Sequence, residues 1–274
     1  APEVRAVNPL LAALLGIVEG ITEYLPVSST GHLILASRLF GLEGEGADAF
    51  DVVIQLGAIL AVVVHYRRLL WERAVGLAAK KRESVSLLVA LILGFAPTAV
   101  AGLLLRKKIK ALLFGPWPVA AALVVGGVLM IAVEVARARW KIVGRTGLEH
   151  VTPWRALVIG FGQCVSMWPG SSRSMCTIVA GQLAGLSTAT AAEFSFLLGL
   201  PTLGAATLYE AYKSRDALAG IGVLNVVIGL VVSFVVAWIV VAAFLAYLKR
   251  RGLVPFGIYR IVLGGLVLLV MLRA

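Results

Sequence analysis

Charge is what this sequence has least of. Only 14% of its 274 residues are Asp, Glu, Lys or Arg, while 60% are hydrophobic. A soluble domain carries about a quarter charged residues, so the composition excludes one and reads as a polytopic membrane protein. Acids are scarcer than bases: 14 Asp and Glu stand against 25 Lys and Arg, a formal net charge of +11. The basic residues fall in short clusters between apolar runs, with no basic face interleaved with aromatics. That excludes nucleic acid and points to topology signals and membrane-lipid headgroups. Cysteine is nearly absent. Cys164 and Cys176 stand alone in apolar surroundings, which fits no metal-ligand spacing and reads as small core residues. No cleavable signal-peptide pattern opens the chain, and Ala1 in place of Met reads as a trimmed start or a tag remnant.

Against that background one stretch stands out, Gly16-Ile-Val-Glu-Gly-Ile-Thr-Glu-Tyr-Leu-Pro-Val-Ser-Ser-Thr-Gly-His32. Glu19 and Glu23 are four apart, so on a helix they share one face. Pro26 ends or kinks that helix, because it lacks an N–H and restricts the residue before it. Ser28, Ser29, Thr30 and Gly31 then offer hydroxyls and backbone N–H groups at the start of a new helix, an arrangement that suits phosphate. His32 follows. Ionisable groups in a membrane-buried segment are costly and usually mark function.

The remaining chain divides into apolar runs. Full spans are expected at Phe50 to His65, Leu87 to Leu105, Val119 to Val135, Ala191 to Tyr212, Gly222 to Leu248 and Phe256 to Leu272. Pro97 predicts a kink near Gly94 to Pro97. Arg67 to Ser86 reads as a loop with amphipathic character, and Arg106 to Trp117 as a short basic loop. Two further apolar pairs, Leu10 to Ser37 and Ala156 to Gly185, are interrupted by proline. A helix from Leu10 to Leu25 would be only about 24 Å long, short of a ~30 Å hydrocarbon core. Both pairs therefore read as re-entrant hairpins.

The halves resemble each other. Asn8-Pro9 matches Thr152-Pro153, Gly16 matches Gly160 and Phe50 matches Phe194. Pro26-Val-Ser28-Ser29 matches Pro169-Gly-Ser171-Ser172, and Gly126-Gly127 matches Gly264-Gly265. The expected fold is one all-α integral membrane domain with two repeats, about residues 8–136 and 152–272, joined by a linker at 137–151. Each repeat holds a re-entrant hairpin and three spans, which inverts the second relative to the first and brings two half-helix tips together near the midplane. Alternating loops carry fourteen Lys and Arg on one side and nine on the other, which places both termini outside the cytoplasm. The Gly-Gly pairs are compatible with a homodimer.

The second tip, Pro169-Gly-Ser171-Ser172-Arg173-Ser174, adds what the first lacks. Arg173 is always charged and its planar fork matches phosphate oxygens. If the tips meet, Arg173 and the hydroxyls surround a pocket whose other wall is Glu19, Glu23 and His32, a constellation for phosphoryl transfer with a divalent cation. Other readings stay open residue by residue. Glu19 with Glu23 would equally serve as a proton or ion site in a transporter, His32 as an interior histidine, and Arg173 as a counter-ion. Asp51, Gln55 and Glu193 would either support the site from behind or bridge helices.

Glu19-Gly-Ile-Thr-Glu-Tyr-Leu-Pro-Val-Ser-Ser-Thr-Gly-His32 resembles the first signature of the bacterial undecaprenyl-diphosphate phosphatases, the bacitracin-resistance proteins. Pro169-Gly-Ser-Ser-Arg-Ser174 with Thr177 resembles the second, and Phe50-Asp-Val-Val-Ile-Gln-Leu-Gly57 the segment between. The resemblance implies an inner-membrane enzyme with a periplasm-facing site. It would remove the terminal phosphate of a polyprenyl diphosphate with Mg²⁺ or Ca²⁺. The essential glutamates fall on Glu19 and Glu23, which would also hold the metal, the histidine on His32 and the arginine on Arg173. Ser29 attack with His32 as base, attack by His32 itself and metal-activated water all remain open. Ser28, Thr30, Gly31, Ser171, Ser172, Ser174 and Thr177 would hold the diphosphate. The rival reading is a polyprenyl-phosphate flippase with Glu19 and Glu23 as coupling sites. The family usually has Gly-Ala-Thr after Ser-Arg-Ser. Here Met175-Cys176-Thr177 stands in its place, and a larger side chain at Met175 is expected to narrow the pocket or shift the tip.

Overall fold

A computed structural model describes residues 7–42, 44–113 and 115–273, without the side chains of Glu45, Arg106, Lys107, Lys108, Lys110, Ala111, Leu112 and Pro116. The expectations that used Arg5 and the basic side chains at 106–108 and 110 lie outside these described residues. Among the described residues there are twelve α-helices and one 3₁₀ turn, and no named strand. In chain order they are α1 (Pro9–Thr22), α2 (Ser29–Leu39), α3 (Glu45–His65), α4 (Arg67–Ala78), α5 (Arg82–Leu113) and α6 (Pro116–Arg139). After the 3₁₀ turn Leu148–His150 come α7 (Pro153–Val165), α8 (Arg173–Leu183), α9 (Thr188–Lys213), α10 (Arg215–Ile221), α11 (Val223–Leu248) and α12 (Val254–Arg273). Six of these, α3, α5, α6, α9, α11 and α12, are long and apolar enough to cross a membrane.

The short helices start where side-chain chemistry supplies a cap. Asn8 Oδ1 accepts from Leu11 N at 2.9 Å with Pro9 opening α1, and Thr152 Oγ1 accepts from Arg155 N at 3.4 Å with Pro153 opening α7. At 14, 11, 13 and 11 residues, α1, α2, α7 and α8 are too short to cross a bilayer. Two expected loops are helical instead. Arg67 to Ser86 folds as α4 and the start of α5, and α5 runs on to Leu113 through the expected loop at Arg106. Charge clusters of this kind cost a helix nothing at a membrane surface, because long basic side chains reach water while their stems stay apolar.

The chain forms two compact units. The first takes residues up to Tyr24, Ser29–Tyr66 and Gly199–Ala243; its core gathers Leu11, Leu15, Leu33, Phe50 and Ile54. Here α1 and α3 lie hard against α11. A Cβ on Gly16 would come 2.7 Å from Gly229 O, and one on Gly20 would come 2.7 Å from Val236 Cβ. Small residues let helix backbones approach this closely in membranes.

The second unit takes Leu25–Ser28, Arg67–Leu198 and the chain from Phe244 onward. Within it α5 packs on α7, where a Cβ on Gly160 would come 2.6 Å from Gly94 O, and α6 packs on α12 through Gly127 and Gly257. The Gly-Gly pairs are thus largely consumed inside the chain: Gly126, Gly127 and Gly264 face α6–α12 contacts, and Gly265 alone of the four faces open space.

The close approach at Gly160 is testable. Gly160→Ala presses a methyl on backbone and should cost about 1–3 kcal/mol, whereas Gly204→Ala in α9, which faces open space, should be neutral or slightly stabilising. Thermal unfolding of the two variants in detergent checks the difference.

Candidate active site

The first hairpin sets its acids on α1. Glu19 is fully buried and Glu23 nearly so, and the Glu23 N–H donates to Glu19 O at 3.0 Å as the helix ends. Pro26 lies in the turn that follows, and Ser28 carries a φ of 77°. α2 begins at Ser29, whose hydroxyl donates to Glu23 Oε2 at 2.5 Å. A hydroxyl this close to a carboxylate makes a strong charge-assisted bond, with its proton already directed at the acceptor. Thr30 is exposed, Gly31 buried and His32 half-buried in the same first turn. Asp51 Oδ2 accepts from Ser37 Oγ at 3.2 Å, and Gln55 Oε1 from Thr207 Oγ1 at 3.4 Å, so both tie α3 to neighbouring helices.

Among the described residues no three His, Cys, Asp or Glu side chains converge as a metal cluster. Glu19 on α1 and Glu23 at its C-cap are the two candidate carboxylates. That donor set fits Mg²⁺, which keeps several waters and binds through one or two carboxylates plus substrate phosphates.

The second tip lies in the second unit, together with residues 25–28 of the first. Ser172 precedes α8 with a φ of 70°, and its Oγ accepts from Met175 N at 3.2 Å. Arg173 Nη1 donates to Ser195 O at 2.8 Å and lies 3.3 Å from Ser195 Oγ, which holds the guanidinium against α9. Thr177 Oγ1 is 2.6 Å from Ser195 Oγ and donates to Arg173 O at 2.8 Å. Ser171 is buried, and Ser172 and Ser174 hydroxyls are 2.9 Å apart. Ser174 Oγ donates to Leu25 O at 2.9 Å. The turn after α1 and the first turn of α8 are therefore hydrogen-bonded to each other.

Ser28 and Ser172 are alike in backbone: each has a positive φ and immediately precedes a helix. The offset is then 144, the same as for the Asn8 and Thr152 caps. A non-glycine residue held there costs on the order of 1 kcal/mol, and such strain collects at ligand clamps.

Two residues of this region were missed by the sequence reading, Ser195 and Arg260. Ser195 follows Phe194 as Asp51 follows Phe50, so the repeat match already pointed to it. Arg260 lies in the final span, and of the 25 Lys and Arg only it and Arg173 fall outside the flanking basic segments. It is fully buried and donates to Pro26 O at 3.2 Å, Ala122 O at 3.0 Å and Gly170 O at 3.0 Å.

Comparison with known proteins agrees with these signatures. Residues 12–266 match the family described as bacitracin resistance protein BacA. The chain belongs to that family. An undecaprenyl-diphosphatase of Sorangium cellulosum is 59% identical over 259 residues, 94% of this chain and 84% of that protein. Undecaprenyl-diphosphatases of Solidesulfovibrio magneticus and Sphingopyxis alaskensis are 48% and 46% identical, each over more than 90% of both chains.

Met175 and Cys176 are accommodated inward. Both are buried, and Met175 reaches α6, where its Cε would lie 2.8 Å from a Cβ on Gly126. The extra volume of Met175 is taken up by that glycine.

The strained turn before α8 yields a prediction. Ser172→Ala keeps the unfavourable φ and loses the cap on Met175 N, so it should destabilise by about 1–2 kcal/mol. Ser172→Gly relieves the strain and should cost only a few tenths. Unfolding midpoints of the two in detergent give the order.

Proposed function

We propose that this chain hydrolyses undecaprenyl diphosphate to undecaprenyl phosphate and inorganic phosphate, the activity named for its relatives. That would return the lipid carrier to peptidoglycan and envelope-polymer synthesis and account for bacitracin resistance. The observation that carries the site is the joining of the tips within one compact unit, Ser174 Oγ on Leu25 O. It supports a role for the turn at 25–28 beside the second tip.

On this reading α1–α2 and α7–α8 are re-entrant hairpins of two inverted repeats. Their support is the matched caps at Asn8 and Thr152, the matched strained serines and the shortness of all four helices. Charge asymmetry of the loops supports a plasma-membrane protein with its termini outside the cytoplasm and its site facing the periplasm.

Arg173, the Ser171 hydroxyl and the N–H groups at the starts of α2 and α8 hold the diphosphate and the charge that develops on the transferring group, while Ser172, Ser174 and Thr177, whose hydroxyl protons go to protein oxygens, shape the second tip. Ser28, Thr30 and Gly31 extend the same cradle. The Ser29 hydroxyl attacks the terminal phosphorus as its proton passes to Glu23, the acceptor to which it is already bonded. The bond from that phosphorus to the bridging oxygen breaks, and undecaprenyl phosphate leaves. Water then attacks the phosphoserine phosphorus with His32 taking its proton; the P–Oγ bond breaks, Oγ takes back the proton from Glu23, and inorganic phosphate leaves. A divalent cation held by Glu19 and Glu23 would neutralise phosphate charge.

Purified protein in detergent should release phosphate from undecaprenyl diphosphate and stop when EDTA removes the cation. Glu23→Gln and Arg173→Ala should each lower kcat by about 10²-fold or more. Activity that persists in Arg173→Ala would break the two-tip pocket. Acid quenching with radiolabelled terminal phosphate should trap label on wild-type protein and none on Ser29→Ala. Turnover without trapped label, and undiminished in Ser29→Ala, would transfer the attack to water or His32.

A further inference from the structure

We infer that Arg260 is a positioning residue for this reaction: its guanidinium clasps the loops of both tips and fixes them relative to each other. The inference rests on the site assignment above. Arg260 is fully buried on α12. Its Nη1 donates to Pro26 O, and its Nη2 to both Gly170 O and Ala122 O. Pro26 lies midway between Glu23 and Ser29, and Gly170 lies three residues before Arg173. One planar group thus spans the two breaks and an α6 carbonyl.

Among the described residues Arg260 has no ion pair, so its charge is offset by carbonyl dipoles alone. A buried cation costs several kcal/mol unless its surroundings are arranged for it. The surroundings are so arranged. A Cβ on Gly126 would strike the Arg260 guanidinium and come within 2.8 Å of Met175 Cε, so the glycine is the space the guanidinium occupies. A carbonyl in a proline-broken turn has no helical N–H to receive, and a membrane interior offers no water. Arginine satisfies several such carbonyls at fixed angles; lysine, a point donor on a flexible stem, does not. Ser174 Oγ on Leu25 O is the second fastener of the same loop.

The test is Arg260→Lys, Ser174→Ala and the double variant, assayed for kcat and KM with undecaprenyl diphosphate and for hydrogen–deuterium exchange of residues 25–28 and 166–172. Arg260→Lys should lower kcat about tenfold or more while KM stays within about threefold, because the charge remains and alignment is lost. Exchange at both tips should quicken about tenfold while α3 is unchanged. The double variant should lose less than the product of the single losses, since both bonds hold one loop. Unchanged kcat, unchanged tip exchange or fully multiplicative losses would each overturn the proposal. Should Arg260→Lys fail to fold, Gly126→Ala, which displaces the guanidinium without removing it, is read by the same criteria. A wild-type protein without turnover would sink the proposed activity, and the exchange measurement would still decide the clasp.

Discussion

Backbone groups freed where a helix is interrupted are the constraint from which the rest of this structure follows. In a water-poor interior every freed carbonyl needs a donor from the protein itself. At the tips those donors are Ser174 for Leu25, and Arg260 for Pro26 and Gly170. Where α7 meets α5, side chains add bonds between the helices: Gln163 Nε2 donates to Gly94 O at 3.4 Å and Thr98 Oγ1 to Gly160 O at 3.3 Å. The Gly94 carbonyl lies one turn before Pro97, close to where that proline withholds a donor from α5. Close glycine contacts between helices follow from this, since side chains reach neighbouring carbonyls only where backbones come near.

The two interior arginines divide the work. Arg173 is half-buried at the start of α8 and is steadied by Ser195. A cation at a helix start sits against the positive end of the dipole, an unfavourable place that a bound anion would relieve. Arg260 is fully buried and spends its donors on carbonyls. On the proposed reading, the pair separates holding the ligand from holding the holder.

Much of this was legible in the sequence. Asn8-Pro9 and Thr152-Pro153 announce helix starts, Pro26 marks a break, and the six apolar runs appear as helices of spanning length. Their ends were less legible. Arg67 to Ser86 is rich in basic residues, which composition assigns to a loop, but the chain stays helical there. Matching Pro26 to Pro169 does not align the starts of α2 and α8. A proline need only stand somewhere in the turn, whereas the residue that turns into the helix has one place. Ser28 and Ser172 occupy that place, and a serine at positive φ has no composition signal. Arg260 had a signal, a lone charge in the last span, but its role as a tie between distant carbonyls exists only in three dimensions.

The contact between Ser29 and Glu23 bears on why α1 ends where it does. Its last turn carries Glu19, Glu23 caps it one turn on, and the chain then returns within six residues to bring Ser29 back onto Glu23. A longer turn would leave the hydroxyl free to rotate, and a shorter one could not reverse the chain. Pro26 stiffens that return, and a positive φ at Ser28 sharpens it. Strain in the turn is thus the counterpart of order in the site, because flexibility between acid and hydroxyl would have to be removed again in every turnover.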